Sequence, residues 1–308
     1  MEPHDKACTP KEQDPLTNIF ACPNCVGSLQ SDLTCLVCTS CGAKYKYTDY
    51  GIPDLRLTTN RKYQLEFDLT EPLLPDAGFE FKPLDINPRP EVDFSSIQTQ
   101  PFLSTDILSY FPRARGRSSF ALDLGCGRGM HKGVCEHAGF RYVGLDIDSR
   151  NASLLGDAHA LPFKDNSFEM ILSIAVLEHI RFPFVMMREA YRVLKPQGVF
   201  IGTVAFLEPF HIDSYYHHTH LGTYNSLKFG GFRVLRVAPS ESWTVLTAQA
   251  QMGLFPKMPT ALSNLLVLPV HIAHKLWWRS AGLFKRDFDA NKRVRNTTGM
   301  FTFIAVKQ

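Results

Sequence analysis

Ser119-Phe-Ala-Leu-Asp-Leu-Gly-Cys-Gly-Arg-Gly129 is the stretch on which the fold of this chain turns. Ser119–Leu124 is a short apolar run of strand character. Gly125-Cys-Gly-Arg-Gly129 is a glycine-rich turn, and Met130 to His137 carries a helical pattern. Strand, glycine turn and helix in that order aim backbone N–H groups at the anionic end of a ligand. The G-x-G-x-x-G fingerprint of dinucleotide binders needs glycine at position 130, where this chain has Met130.

Downstream, Arg141-Tyr-Val-Gly-Leu-Asp146 reads as the next strand and ends in an acid. An acid placed there can accept both hydroxyls of a ribose. Gly156-Asp157-Ala158 and Leu161-Pro-Phe163 follow. A strand over Glu169–Ile174 leads into Val176-Leu-Glu-His179, and a helix over Phe184–Leu194 stops at Lys195-Pro-Gln-Gly198. Further strands are expected at Val199–Val204, Gly231–Val237 and Gly299–Val306. Only ten residues separate Asp146 from Asp157. A helical crossover needs about a dozen or more, so this one is expected to shrink to a turn with Ser153-Leu-Leu155 as a short strand.

Residues 119–204 resemble the class I S-adenosylmethionine-dependent methyltransferases, in the branch that includes quinone-biosynthesis methyltransferases. The segments LDLGCGRG, VGLDID, GDAHALPF, NSFEMILSIAVLEHI and RVLKPQGVFI carry the resemblance, in family order. It implies an α/β, Rossmann-like fold with a mostly parallel seven-stranded sheet and helices on both faces. It also implies S-adenosylmethionine as cofactor. The loop of Gly125, Cys126, Gly127 and Gly129 would cradle the methionine part, with Asp123 near its amino group. Asp146, with Ile147 beside it, would hold the ribose, and Asp157 and Ala158 would border the adenine. The shortened crossover is similar to that of methyltransferases of bacterial glycan and secondary-metabolite pathways.

Six of the eight cysteines fall in the first 41 residues. Cys22-Pro-Asn-Cys25 and Cys38-Thr-Ser-Cys41 form a double C-x-x-C, the spacing of a tetrahedral Zn²⁺ site. Cys35-Leu-Val-Cys38 has the same spacing, but Cys35 sits in an apolar strand-like run, so Cys22, Cys25, Cys38 and Cys41 are the expected ligands. CPNC, CTSCGAKY and Tyr50-Gly-Ile-Pro-Asp-Leu55 resemble a short zinc-ribbon family similar to the small activator subunit of certain RNA and protein methyltransferases. The expected organisation is a disordered 1–17, a small β zinc ribbon over 18–57, a proline-rich linker over 58–95 and a methyltransferase domain over 96–308. A helix is expected near Ser96–Tyr110, capped by Ser95 or Ser96.

An acceptor hydroxyl must lose a proton before it can be methylated, and histidine is suited to remove one near neutral pH. Four of the eleven histidines lie between Phe210 and His220, after the fifth strand, where this kind of sheet opens its ligand crevice. His211 and His218 are the first candidates, with Glu178 and His179 after the fourth strand. From Lys257 to Gln308 there are nine Lys or Arg against two Asp or Glu, a net +7 in a chain whose total is +3. Residues 253–290 are an insertion relative to the family fold. Leu262, Leu265, Leu266, Ala273, Leu276 and Trp277 form a helical stripe there, with Pro269 expected to kink it or split it into a hairpin. Segment 261–286 is a candidate for peripheral membrane contact or a homodimer face.

With 44% apolar and 20% charged residues, a disordered chain is excluded. No apolar leader is visible at the N-terminus, so a cytoplasmic location, peripheral to a membrane through 261–286, is expected. The leading expectation is O-methylation of a small-molecule, glycan or lipid-linked acceptor. The alternatives are an RNA base methyltransferase whose ribbon grips RNA, and a non-catalytic zinc-ribbon interaction protein with a cofactor-binding domain. The mild charge of the ribbon disfavours nucleic acid.

Overall fold

The computed structural model describes residues 15–32, 34–70, 75, 79–98, 102–285 and 289–308. A three-stranded antiparallel sheet comes first: β1 (Leu29–Ser31), β2 (Cys35–Cys38) and β3 (Lys44–Lys46). A seven-stranded sheet follows, built from β4 (Phe120–Leu124), β5 (Arg141–Asp146), β6 (Leu154–Leu155), β7 (Phe168–Ile174), β8 (Leu194–Ala205), β9 (Arg233–Pro239) and β10 (Met300–Val306). Its order is β6-β5-β4-β7-β8-β10-β9. Only β10 runs against its neighbours, pairing antiparallel with both β8 and β9. This is the α/β sheet expected from the sequence. Between β5 and β6 no helix intervenes; the chain turns through 147–153, as the short spacing required.

The helices are α1 (Thr105–Leu108), α2 (Lys132–His137), α3 (Pro183–Val193), α4 (His220–Gly230), α5 (Val245–Ala248), α6 (Thr260–Phe284) and α7 (Ala290–Thr297). The pleat of β4 divides the core, since successive side chains point to opposite faces. Phe120, Leu122 and Leu124 pack with Met186, Met187 and Ala190 of α3 and Leu227 of α4. The same cluster contains Phe20, Leu36, Tyr45 and Leu55, so the small sheet shares this layer rather than standing apart. Ala121, with Met170 and Leu172 of β7, packs on the other face against Val134 and Cys135 of α2 and against Leu103, Ile107 and Phe111. Asp54 bridges Leu155 in parallel and Phe20 bridges Phe163, extending the large sheet's edge with ribbon backbone.

Several local expectations need correction. The tail expected to be disordered lies outside the described residues up to 14, but Pro15–Ile19 forms a 3₁₀ turn. Leu16 and Ile19 pack on the core, and Lys164 Nζ donates to the Asn18 carbonyl at 2.7 Å. The helix expected at Ser96–Tyr110 is only α1. Asp93 Oδ1 accepts the Ser95 N–H at 2.9 Å, a side-chain turn that competes with helix at the expected cap. The proline-rich stretch is fastened to the domain, with the Phe67 ring stacked on Phe229 at 4.6 Å and Phe79 against Tyr224 at 4.9 Å. Val92 and Phe94 are buried under α1. Pro269 neither breaks the insertion nor makes a hairpin; α6 is one helix of 25 residues. Among the described residues, no helix is long and apolar enough to cross a membrane.

Candidate active site

The turns after β4, β5 and β7 enclose a cavity of about 790 Å³ beyond the strands' C-terminal ends. Crevices of this kind in parallel sheets are where ligands bind, and the size suits a small molecule. Gly125, Asp146, Ile147, Asp157 and Ala158 line it, as the sequence led one to expect. The Gly125 and Cys126 N–H groups both donate to the Leu145 carbonyl, at 2.8 and 3.0 Å, tying the loop to β5. Gly127 N–H donates to Asp146 Oδ2 at 2.8 Å. Asp146 Oδ1 accepts the N–H groups of Asp148 and Ser149, each at 3.2 Å. Asp146 therefore sets the shape of the glycine loop as well as facing the cavity.

Gly125 and Gly127 have φ of +77° and +50°, which L side chains rarely adopt. A Cβ at Gly125 would stand 2.5 Å from a Val176 methyl, whereas one at Gly127 would meet nothing within 4 Å. The first glycine is required by packing, the second leaves open space. Gly125→Ala is expected to displace Val176 and the loop together. Calorimetric affinity for the cofactor should fall at least tenfold, with a lowered melting temperature; unchanged values would show that the loop tolerates the clash.

Asp123 does not reach the cavity. It is fully buried, accepting the Tyr142 hydroxyl at 2.8 Å and lying 3.2 Å from His131 Nδ1. Its role here is to brace β4 against β5 and the start of α2. Cys126 is buried too, and burial, with Asp123 and Asp146 adding to it, pushes its thiol up to about 12. Asp157 Oδ1 accepts the His159 N–H at 2.8 Å and lies 2.6 Å from His159 Nδ1. Burial opposes its ionisation, but these bonds outweigh burial and hold the carboxyl below its ordinary range. His159 Nε2 accepts the Phe182 N–H at 3.0 Å. Nδ1 then carries the proton, and a neutral imidazole links the β6 turn to the residues before α3.

A second group stands at the β7 end of the cavity. His179 lines it; Glu178, His211 and His218 do not. Glu178 has no exposed surface, and no side-chain donor reaches its carboxylate oxygens in hydrogen-bonding geometry. Burial, reinforced by Glu208, pushes its carboxyl up to about 7. His211 Nε2 is 3.9 Å from Glu178 Oε1, and the His179 and His211 rings are 5.1 Å apart. Burial holds His179 below the ordinary histidine range and His218 down at about 4. His218 is enclosed, and its Nε2 has no partner.

Other cavity residues were given no role in the sequence reading. They include His159, Ala175, Val176, Arg181, Phe182, Ile212 and Tyr215. Ala175 and Ile212 carry a local signature, φ of +54° and +46°, but that is visible only in the backbone.

In the ribbon, two knuckles bring Cys22, Cys25, Cys38 and Cys41 together, with all four sulfurs within 4.8 Å of one another. Val26 N–H donates to the Cys22 carbonyl at 2.7 Å and Gly42 N–H to the Cys38 carbonyl at 3.0 Å, the same turn twice. Cys35 is on β2, outside the cluster. Burial acts to raise the Cys38 thiol, but the Cys41 and Ser40 amides outweigh it and bring it to about 6. At Cys25 the Gly27 amide acts to lower the thiol, and burial with the three neighbouring sulfurs outweighs it, to about 12. Thiolates this close cannot all be ionised without a cation among them, so the set fits a dication.

A family model described as a methyltransferase domain matches residues 122–202. An uncharacterized methyltransferase of Mycobacterium leprae is 34% identical over 103 residues, which cover 29% of this chain and 38% of the relative. A mitochondrial arginine-hydroxylase of Mus musculus is 30% identical over 99 residues, 27% of this chain and 28% of that one. The chain thus spans well under half the length of these relatives. Among solved structures, a complex between the Haloferax volcanii Trm112 methyltransferase activator and a methyltransferase gives a TM-score of 0.41 at 19% identity, covering 65% of this chain and 86% of that chain. Residues 122–202 are thus similar to a methyltransferase domain, and they lie on the Rossmann-like sheet.

Proposed function

We propose that this chain transfers the methyl group of S-adenosylmethionine to a hydroxyl of an apolar or lipid-linked acceptor at a membrane surface. The observation that carries the transfer reading is Asp146. It projects from the end of β5 into the cavity beside a glycine turn that leaves open space at Gly127. Asp146 would take the ribose hydroxyls, Asp157 and Ala158 would border the adenine, and the glycine-loop backbone would hold the methionine part. The cofactor supplies a methyl on a positively charged sulfur, so the chain's own work is to position the two reactants and receive the acceptor's proton. His179 lines the cavity where an acceptor would enter, with Glu178 and His211 behind it.

The apolar character of the acceptor rests on what surrounds the opening. Ile147, Phe182, Ile212 and Tyr215 line the cavity and are each more than half exposed. α6 adds a longer apolar surface. Only Ser263 and Val267 of its side chains are buried, while Leu265, Leu276, Trp277 and Phe284 are 59%, 61%, 68% and 88% exposed. These four share the outward face, and Lys275 and Arg279 flank it, an arrangement that suits an anionic lipid interface. Zn²⁺ held by Cys22, Cys25, Cys38 and Cys41 would fix the ribbon against the sheet.

The enzyme assay is transfer of labelled methyl from S-adenosylmethionine to lipid, glycan and RNA fractions. Label should enter the lipid fraction; label confined to RNA would contradict the acceptor class. Flotation with anionic vesicles at low salt should carry the chain upward. Leu276→Ala/Trp277→Ala or high salt should release it. A chain that stays at the bottom at low salt would leave α6 without a membrane role.

A further inference from the structure

We infer that Glu178, His179 and His211 form a binding site for a divalent first-row transition-metal ion, separate from the ribbon's cysteines and opening on the cofactor cavity. The three side chains present one carboxylate and two imidazoles whose ligand atoms all lie within 4.8 Å of one another. Ligands around such an ion at about 2.1 Å stand roughly 3 to 3.5 Å apart, a difference that side-chain rotation can take up. Two imidazoles and a carboxylate suit ions of the manganese-to-zinc series rather than Ca²⁺ or Mg²⁺.

What the donors lack points to a cation. Glu178 is wholly enclosed, and no side-chain donor reaches its oxygens in hydrogen-bonding geometry; only the backbone amides of Glu178 and Ala205 act on the carboxyl. Buried carboxylates are ordinarily hydrogen-bonded or paired. His179 Nδ1 is also buried and unpartnered. His211 Nδ1 is 3.2 Å from the Pro209 carbonyl, to which it donates, and that bond leaves the bare lone pair of Nε2 facing Glu178 at 3.9 Å. A ligating histidine commonly donates its other ring N–H to a backbone carbonyl, because the bond fixes tautomer and ring orientation. Glu208 lies behind, 4.0 Å from His211 Nδ1 and fixed by the Trp243 indole N–H at 3.0 Å. One carboxyl and two imidazole nitrogens thus converge on one point. His179 lines the cavity, which gives an ion its way in and leaves coordination positions open toward it.

The role of the ion rests on the methyl-transfer reading, although its binding does not. An acceptor hydroxyl bound to it would release its proton to solvent more readily. The oxygen lone pair then forms the O–CH₃ bond, the CH₃–S bond breaks, and its electron pair stays on sulfur as the sulfonium becomes a thioether.

The test is a Co²⁺ titration of the full chain with Zn²⁺ already in the ribbon. One Co²⁺ per chain should bind with visible absorption of nitrogen–oxygen type and without thiolate charge-transfer bands. Glu178→Gln and His211→Ala should each weaken binding at least tenfold, while calorimetric affinity for S-adenosylmethionine and the melting temperature stay near native. Absence of Co²⁺ binding beyond the ribbon, or equal binding by both variants, overturns the site. Failure of S-adenosylmethionine to bind, with Co²⁺ still bound, would strike the methyl-transfer reading instead.

Discussion

Asp146→Ala is expected to abolish measurable cofactor binding while the chain stays folded. Two hydrogen bonds from a ribose to a carboxylate are each charge-assisted, and losing the pair costs roughly 2–4 kcal/mol, a factor of about 30 to 1,000 in affinity. The structure adds a second effect. Asp146 also accepts from Gly127, Asp148 and Ser149, so its removal frees the glycine loop that would cradle the methionine part. Asp146→Asn separates the two contributions. The amide oxygen can still accept one or two of the loop bonds but lacks the charge, so its affinity should fall between the native chain and the alanine variant. Asp146 sits at the end of β5 rather than in the apolar core, so circular dichroism should change little and the melting temperature should fall only modestly with the loop bonds lost. Native affinity in Asp146→Ala would move the ribose contact to Asp148, which also lines the cavity.

Cys38→Ser/Cys41→Ser should remove one tightly bound zinc per chain and destabilise more than the ribbon. A three-stranded sheet with strands of three or four residues has little core of its own, so a metal held by its cysteines would supply most of its folding free energy. Here its buried side chains Phe20, Leu36, Tyr45 and Leu55 belong to the same cluster as Leu122 and Phe163. Unfolding the ribbon would uncover that face of the large sheet and strip Leu155 of its backbone bonds to Pro53 and Leu55. Elemental analysis should give one zinc in the native chain and none in the variant, with a melting temperature lower by about 10 °C or more. Zinc fully retained in the variant would mean other ligands; zinc lost without a change in melting would mean the ribbon folds on hydrophobic contacts alone.

The large sheet was legible in the sequence because its signals are local. An apolar run ending at Gly125, an acid closing Arg141–Asp146, and ten residues too few for a crossover helix each constrain the backbone by themselves. Double C-x-x-C spacing likewise dictates two matching knuckles, and the sequence favoured Cys41 over Cys35 because Cys35 sits in an apolar strand-like run. Tertiary pairing was less legible. Asp123 was expected at the cofactor, but Tyr142 and His131 converge on it from β5 and the start of α2 and close it off. Ile212 and Tyr215 reach the cavity only because the loop after β8 folds back, with Tyr215 N–H donating to the Glu178 carbonyl at 2.7 Å. Near Ser96 the described residues form no helix; there the Asp93 side chain accepts the Ser95 N–H and competes with helix start. In the insertion, the hairpin that Pro269 offered did not form. Pro269 withholds one N–H in a helix whose outer face is open to solvent, and α6 continues past it.

The account stands on one cavity recognising one cofactor, so the decisive measurement is isothermal titration of the purified chain with S-adenosylmethionine, S-adenosylhomocysteine and NAD. The glycine turn with Met130 in place of a third glycine, and the carboxylate at Asp146, predict one site per chain for each of the first two and none for NAD. Binding of NAD in their place, or no heat from either sulfur compound in folded, zinc-loaded chain, would contradict it.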